Sequence, residues 1–225
     1  MRRSDIDPAV IGRELIKWWR AHGRRYPWRE TRDPYKIIVA EIMLQRTKAD
    51  QVLPVYRDFL EKFPTIHHLV RAAPEEIEEF FKRLGLRWRA DKIRKMADFV
   101  VREYNGRFPR SKEMLMKIPG VGDYISSALL SFAYGLPYVV VDSNVCRIIQ
   151  RVFGIKARGE ARRDKRFHEL AREMLPEDED SRLLNFALID FAALVCKPRR
   201  PLCSSCPIRN LCSYYSGSSS MNGKG

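Results

Sequence analysis

No apolar run in the 225 residues approaches the roughly 20 that a bilayer-spanning helix needs, so no membrane partner is expected. The N-terminus, MRRSDIDPAV, is basic but has no apolar stretch behind it. A secretory signal is therefore not expected, and the cytoplasm is the default compartment. No internal repeat is present. Strand-like sequence is scarce too: YVVV, 138–141, is the one stretch of that kind, and it is too short to build a sheet. Acidic residues are outnumbered, 28 against 42 Lys and Arg, for a net charge of +14. That imbalance favours a polyanionic partner, most simply nucleic acid. Arg dominates the surplus, and its guanidinium holds phosphate oxygens in a bidentate fork.

What is present is helical periodicity. AVIGRELIKWWRAHG sets Val10, Leu15, Trp18 and Trp19 near one face and closes at Gly23. A second pattern starts after Asp33-Pro34, a cap and first-turn pair, and is expected to break at Pro54. APEEIEEFFKRLG opens on Pro-Glu-Glu and closes at Gly85. Amphipathic stretches ADKIRKMADFVVREYNG, DYISSALLSFAYG, SNVCRIIQRVFG, DKRFHELAREMLP and SRLLNFALIDFAALVC follow. The fold class is all-α. The tail from 216, rich in Ser and Gly, reads as disordered.

Cysteine is sparse, five in all, and four are bunched as Cys196-x6-Cys203-x2-Cys206-x5-Cys212. Cys146 stands alone in a helical pattern and reads as a core thiol. In a reducing compartment four clustered cysteines point to metal rather than disulfides. The uneven spacing departs from the paired CxxC pattern of zinc sites. On spacing alone, structural zinc and a [4Fe–4S] cluster stand level. The basic loop KPRRPLCSSCPIRN surrounds the centre with positive charge.

The stretch SKEMLMKIPGVGDYISSALLSFAYG reads as helix, hairpin, helix over about 111–135. Gly120 and Gly122 are expected to allow positive φ and close backbone approach. Amides of the turn and of the next helix start can then take a phosphate without reading sequence.

IPGVG, then VVVDSNVCRI, then C-x6-C-x2-C-x5-C, in that order and spacing, resemble the iron–sulfur branch of the helix-hairpin-helix DNA glycosylase superfamily, which includes endonuclease III and the MutY adenine glycosylases. The resemblance runs from about Val10 to Tyr215. It implies two helical lobes, 29–139 carrying the hairpin and 1–28 with 140–215 carrying the cluster loop 196–212, and an active site in the cleft where they meet. It also implies a [4Fe–4S] cluster on Cys196, Cys203, Cys206 and Cys212.

Such enzymes flip a nucleotide out of the duplex and cut its N-glycosidic bond through an oxocarbenium-like transition state. By motif match Asp142 is the carboxylate that stabilises that charge; read alone it is equally a helix N-cap, and the roles are compatible. Tyr124 stands where strand-cleaving members place a lysine. A phenol forms no imine, so hydrolysis without strand cleavage is implied. Glu41 matches the acid that protonates a purine leaving group. Gln45, i+4 from it, matches the glutamine that fills the vacated gap, with Arg46 beside it. Leu86 matches an apolar wedge, and Pro119, Gly120, Val121 and Gly122 form the DNA-gripping turn.

Two substrates compete. One is adenine opposite oxidised guanine, as in MutY. The other is thymine or uracil opposite guanine, as in archaeal mismatch glycosylases. Gln45-Arg46-Thr47 replaces the usual Gln-Gln-Thr of MutY, and Arg87-Trp88 replaces its tyrosine pair. The chain runs only a short way past Cys212, where MutY enzymes carry a further domain. IDFAALVCKPRRPLC and LCSYYS resemble the archaeal mismatch enzymes. The expected activity is thus thymine or uracil excision from mismatched or deaminated double-stranded DNA by a prokaryotic, nucleoid-associated monomer. A catalytically silent lesion binder is the reading from another class, and the presence of both Tyr124 and Asp142 argues against it.

Overall fold

The computed structural model describes residues 6–216, and every regular element among them is helical. No helix among the described residues is long and apolar enough to cross a membrane. The chain divides into two compact units: one is Arg25–Tyr134, and the other joins the stretch up to Arg24 to the stretch from Gly135.

In chain order, α1 is Pro8–His22, α2 Pro27–Glu30, α3 Pro34–Leu44, α4 Ala49–Lys62, α5 Ile66–Arg71, α6 Pro74–Arg83, α7 Trp88–Tyr104, α8 Lys112–Leu115, α9 Asp123–Phe132, α10 Ser143–Phe153, α11 Lys165–Glu173 and α12 Ser181–Leu194. The starts are written in the sequence. Asp7, Asp33, Asp142, Asp164 and Asp180 each accept a backbone N–H of the helix they precede. Pro8 and Pro34 fill first-turn positions where a missing N–H costs nothing. At the end of α6, Gly85 (φ 71°) sends its N–H to the Lys82 carbonyl, and Leu86 sends its N–H to Phe81. This is the Schellman closure that Gly85 announces.

The unit bounds fall on the N-terminal side of the expected 29 and 139. Aromatic stacking explains the first shift. Tyr26 stacks on Trp28 with ring centroids 4.7 Å apart, Trp28 meets Tyr56 edge-on, and Tyr26 donates its hydroxyl hydrogen to Asp50 at 2.9 Å. Residues 25–28 therefore belong with α4. At the other bound, α12 ties down the segment after Tyr134. Ser181 donates to the Leu136 carbonyl, and Asn185 bonds both the Tyr138 carbonyl and the Val140 N–H. YVVV is extended chain held by a side chain, with no strand partner among the described residues.

Pro54 does not break its helix. It lies inside α4, and the break falls earlier, across 45–48, where Arg46 adopts φ 62°. One bond to the Asp50 carbonyl is lost at Pro54. The stripe of Val52, Val55, Tyr56 and Phe59, all buried, keeps the helix running. On α1 the buried face is Ile11, Leu15 and Ile16, while Val10 is exposed. The short helices α2 and α5 have too few turns to show a period, and sequence periodicity missed both. The tail expected to be disordered from 216 begins within a helical turn, 213–216, closed by Ser216 N–H on the Cys212 carbonyl. Residues 217–225 lie outside the described residues.

Candidate functional site

In the unit of α2–α9, α8 and α9 flank the turn 118–122. Val121 N–H returns to the Ile118 carbonyl at 3.0 Å, with Pro119 and Gly120 (φ 80°) at the central positions. That is the type II pattern, which needs positive φ at its third residue. Gly122 differs from expectation: its φ is −95°, and it serves as the N-cap of α9. A side chain there would meet nothing within 4 Å, so no part of this unit requires glycine at 122. Lys112 and Asp123 close the two helices together with an ion pair of 2.7 Å.

The turn forms one wall of a groove of about 690 Å³, lined by Gln45, Lys92, Pro119, Gly120, Val121, Gly122 and Tyr124. Six expected residues thus share one surface with Lys92, which sequence reading did not single out. Lys92 donates to the Gln45 side-chain oxygen at 3.3 Å, and its stem packs where a Gly120 side chain would stand. Burial, with Arg89 nearby, lowers the Lys92 pKa. Tyr124 is half-buried at the start of α9.

Gln45 is the C-cap of α3 rather than part of the helix, so its one-face relation to Glu41 is only approximate. Glu41 is buried at 7% exposure, which overturns a solvated role. Arg46 is exposed and Leu86 half-buried; neither these two nor Glu41 lines the groove.

The end of α3 is held by Arg89, a residue that sequence reading did not single out. Its side chain is fully buried. One terminal nitrogen donates to the carbonyls of Ile42 and Met43 at 3.1 and 3.2 Å, and the other to Gln45. A planar cation thus satisfies carbonyls that a helix end otherwise leaves to water. Burial first, and Arg46 second, lowers its pKa.

In the other unit, Asp142 caps α10. Its Oδ1 accepts the N–H groups of Asn144 and Val145, each at 2.8 Å, and its Oδ2 accepts Asn144 Nδ2 at 2.8 Å. Arg147 donates in turn to Asn144 Oδ1 at 2.9 Å and to the carbonyl of Cys196 at 3.0 Å. The carboxylate is thereby fixed in orientation and joined through two side chains to the first cysteine.

All four clustered cysteines line one cavity, with Phe191, Val195, Leu202 and Ile208 among its apolar walls. None is in a disulfide. Among the described residues no three His, Cys, Asp or Glu side chains are gathered closely enough for a single ion. Four thiols on one cavity are the donor set that a [4Fe–4S] cluster takes. Burial pushes Cys206 up to about 11, with its neighbouring thiols adding to the rise. Thiolates here therefore need positive charge to compensate them. Arg151 supplies some, donating to Cys196 Sγ at 3.4 Å and to the carbonyls of Lys197 and Pro198. Cys146 is buried in the core, away from this set.

Residues 39–176 match the model of the HhH-GPD superfamily base excision DNA repair proteins, and residues 196–212 match the iron-sulfur binding domain of endonuclease III. The chain belongs to the HhH-GPD superfamily and carries that family's [4Fe–4S]-binding domain. It is 39% identical to a thymine-DNA glycosylase of Aeropyrum pernix over 92% of this chain and 94% of that one. An adenine DNA glycosylase of Buchnera aphidicola is 32% identical over 92% of this chain but 58% of its own. The solved structure of a thermostable thymine-DNA glycosylase superposes with a TM-score of 0.89 at 35% identity, covering 94% of this chain and 97% of that one.

Proposed function

We propose that the protein is a monofunctional DNA glycosylase that extrudes thymine or uracil mispaired with guanine, hydrolyses its N-glycosidic bond and leaves an abasic site. The observation that carries this is Tyr124. It lines the hairpin groove at the position where strand-cleaving relatives use lysine, and a phenol cannot form a Schiff base. The 39% identity to the thymine enzyme, against 32% to the adenine enzyme, supports thymine or uracil as the base.

In this reading the turn 118–122 grips backbone phosphate. Gly122, beside which the described residues leave room for a side chain, is small because phosphate comes close to it. Gln45 enters the gap left by the extruded nucleotide, beside Arg46 and Leu86. As the bond to the base stretches, positive charge grows on the sugar, and Asp142 offsets it. Its orienting bonds to Asn144, Val145 and α10 mean that little reorganisation is needed at that moment. Glu41, shielded from water, positions or protonates the leaving base. Cys196, Cys203, Cys206 and Cys212 hold the cluster, which orders the loop 196–212 and takes no part in the bond cleavage.

The test is release of base from labelled G·T, G·U and A·8-oxoguanine duplexes, with alkali added to break abasic sites. Cleavage after alkali at T or U alone is expected. Cleavage at A instead would favour the adenine reading, and no cleavage anywhere would leave a silent binder. Borohydride should trap no complex with the wild type. Tyr124→Lys should become trappable, and a folded, mismatch-binding variant that is not trapped would remove Tyr124 from the sugar.

A further inference from the structure

Trp88 carries the most exposed large apolar side chain among the described residues, at 59%, whereas Leu86, two residues earlier, is half-buried and spent on the Schellman closure of α6. The other tryptophans, 18, 19 and 28, are buried or half-buried. A ring this exposed leaves a broad flat face available to a partner. The ring is not free to fold away. It sits on the first residue of α7, and the next residue, Arg89, is anchored on three carbonyls of the α3 end. The Arg89 guanidinium carbon lies 5.1 Å from the Trp88 ring centroid. One face of the indole therefore rests on a buried cation, and the other is open to solvent.

The surroundings define what can cover it. Lys92 is one helical turn further along α7, on the same side, and reaches both Gln45 and the Gly120 turn. Arg46 is close enough to perturb Arg89, and Arg89 to perturb Lys92. Arg87, exposed, pairs with Glu78 at 3.1 Å. A flat apolar face ringed by cations, beside the hairpin groove, suits an aromatic group carried on a polyanion.

We infer that Trp88 is a stacking platform for a base of the bound duplex, next to the gap that Gln45 enters, and that it holds the DNA in its opened form. The inference rests on the proposed glycosylase reading for which base step is opened, but not for the stacking itself. The ring, backed by Arg89 on one side, receives a base on the other. It acts as a positioning residue.

The experiment uses the full-length, cluster-loaded protein carrying Asp142→Asn, so that the substrate stays intact. Tryptophan emission and its quenching by acrylamide are followed as G·T duplex is added. Trp88 is the tryptophan most open to acrylamide, so the duplex should quench its emission and protect it, and Trp88→Ala should remove the duplex-dependent part of both effects. Affinity for the mismatch should fall by roughly 5- to 150-fold in Trp88→Ala, the range expected for one lost base–aromatic stack. Trp88→Phe should restore most of it, which loss of bulk alone would not explain. Unchanged emission, or unchanged mismatch affinity in Trp88→Ala, would overturn the platform, as would quenching by anionic lipid vesicles but not by DNA. If the wild type releases neither thymine nor uracil yet the mismatch still quenches Trp88, the platform stands and the substrate assignment falls.

Discussion

The two units hold their candidate residues by opposite means. Around the hairpin, position is set mainly by backbone, in a type II turn and a helix start, with one side chain, Arg89, holding the neighbouring helix end. Around Asp142 it is set by side chains bonded in series, Asp142 to Asn144 to Arg147 to the Cys196 carbonyl. A backbone device tolerates sequence change at most neighbouring positions but fails at one or two glycines. A side-chain chain is open to substitution at each link. The first suits holding a repetitive phosphate backbone, the second suits aiming one charge.

The comparison breaks most sharply at Asp142. Asp142→Asn keeps a good N-cap, so melting should move little. Single-turnover base release should nevertheless fall on the order of 100- to 1,000-fold, the cost of removing one aligned electrostatic group. Mismatch affinity, read by anisotropy, should stay near the wild-type value. Equal losses of stability and rate would mean that Asp142 is a cap and nothing more.

Arg89→Met tests the backbone side. It leaves the carbonyls of Ile42, Met43 and Gln45 without their buried donor. The expected cost is about 1–3 kcal/mol for each carbonyl left buried and unsatisfied, read in denaturant melts. An unchanged midpoint would show that water replaces the guanidinium. Cys206→Ser should lose visible iron–sulfur absorbance and DNA affinity together, because the loop 196–212 has few apolar anchors besides Ile208. A colourless variant with full affinity would separate cluster from binding.

The smallest and most discriminating effect is at the glycine pair. Gly120→Ala forces a side chain to φ 80° and against Lys92, and should cost about 1–2 kcal/mol of stability. Gly122→Ala has open space and an ordinary φ, so it adds no strain and should cost only the weaker helix cap, under about 1 kcal/mol. Its affinity for plain duplex should still drop, at every salt concentration. If Gly122→Ala binds normally, phosphate does not approach there.

The helix ends were legible where one residue type does one job. Asp-Pro at 33–34 and Gly85 carry their conformations with them. Pro54 misled because a buried stripe outweighs one missing hydrogen bond, and the true break at 45–48 has no breaker residue. The turn IPGVG could be read, but not the difference between its glycines, since spacing does not reveal φ. Arg89 and Lys92 were hidden in a basic amphipathic helix, where a buried arginine looks like any surface one until the carbonyls it seeks are located. The cysteine set was visible at once, but choosing cluster over zinc needed the family pattern.

The seat of Arg89 has a further consequence, for the order in which its unit folds. The carbonyls it binds lie 44 to 47 residues earlier in the chain. Those bonds form only after that loop closes and α3 has an end to be bound. Until then the guanidinium is better off in water, since an unpaired buried cation is strongly unfavourable. Docking of α7 on α3 is thus a late, non-local event, costly in chain entropy and rewarded all at once. A unit that closes this way is either fully assembled or open at that seam, which keeps half-docked forms scarce.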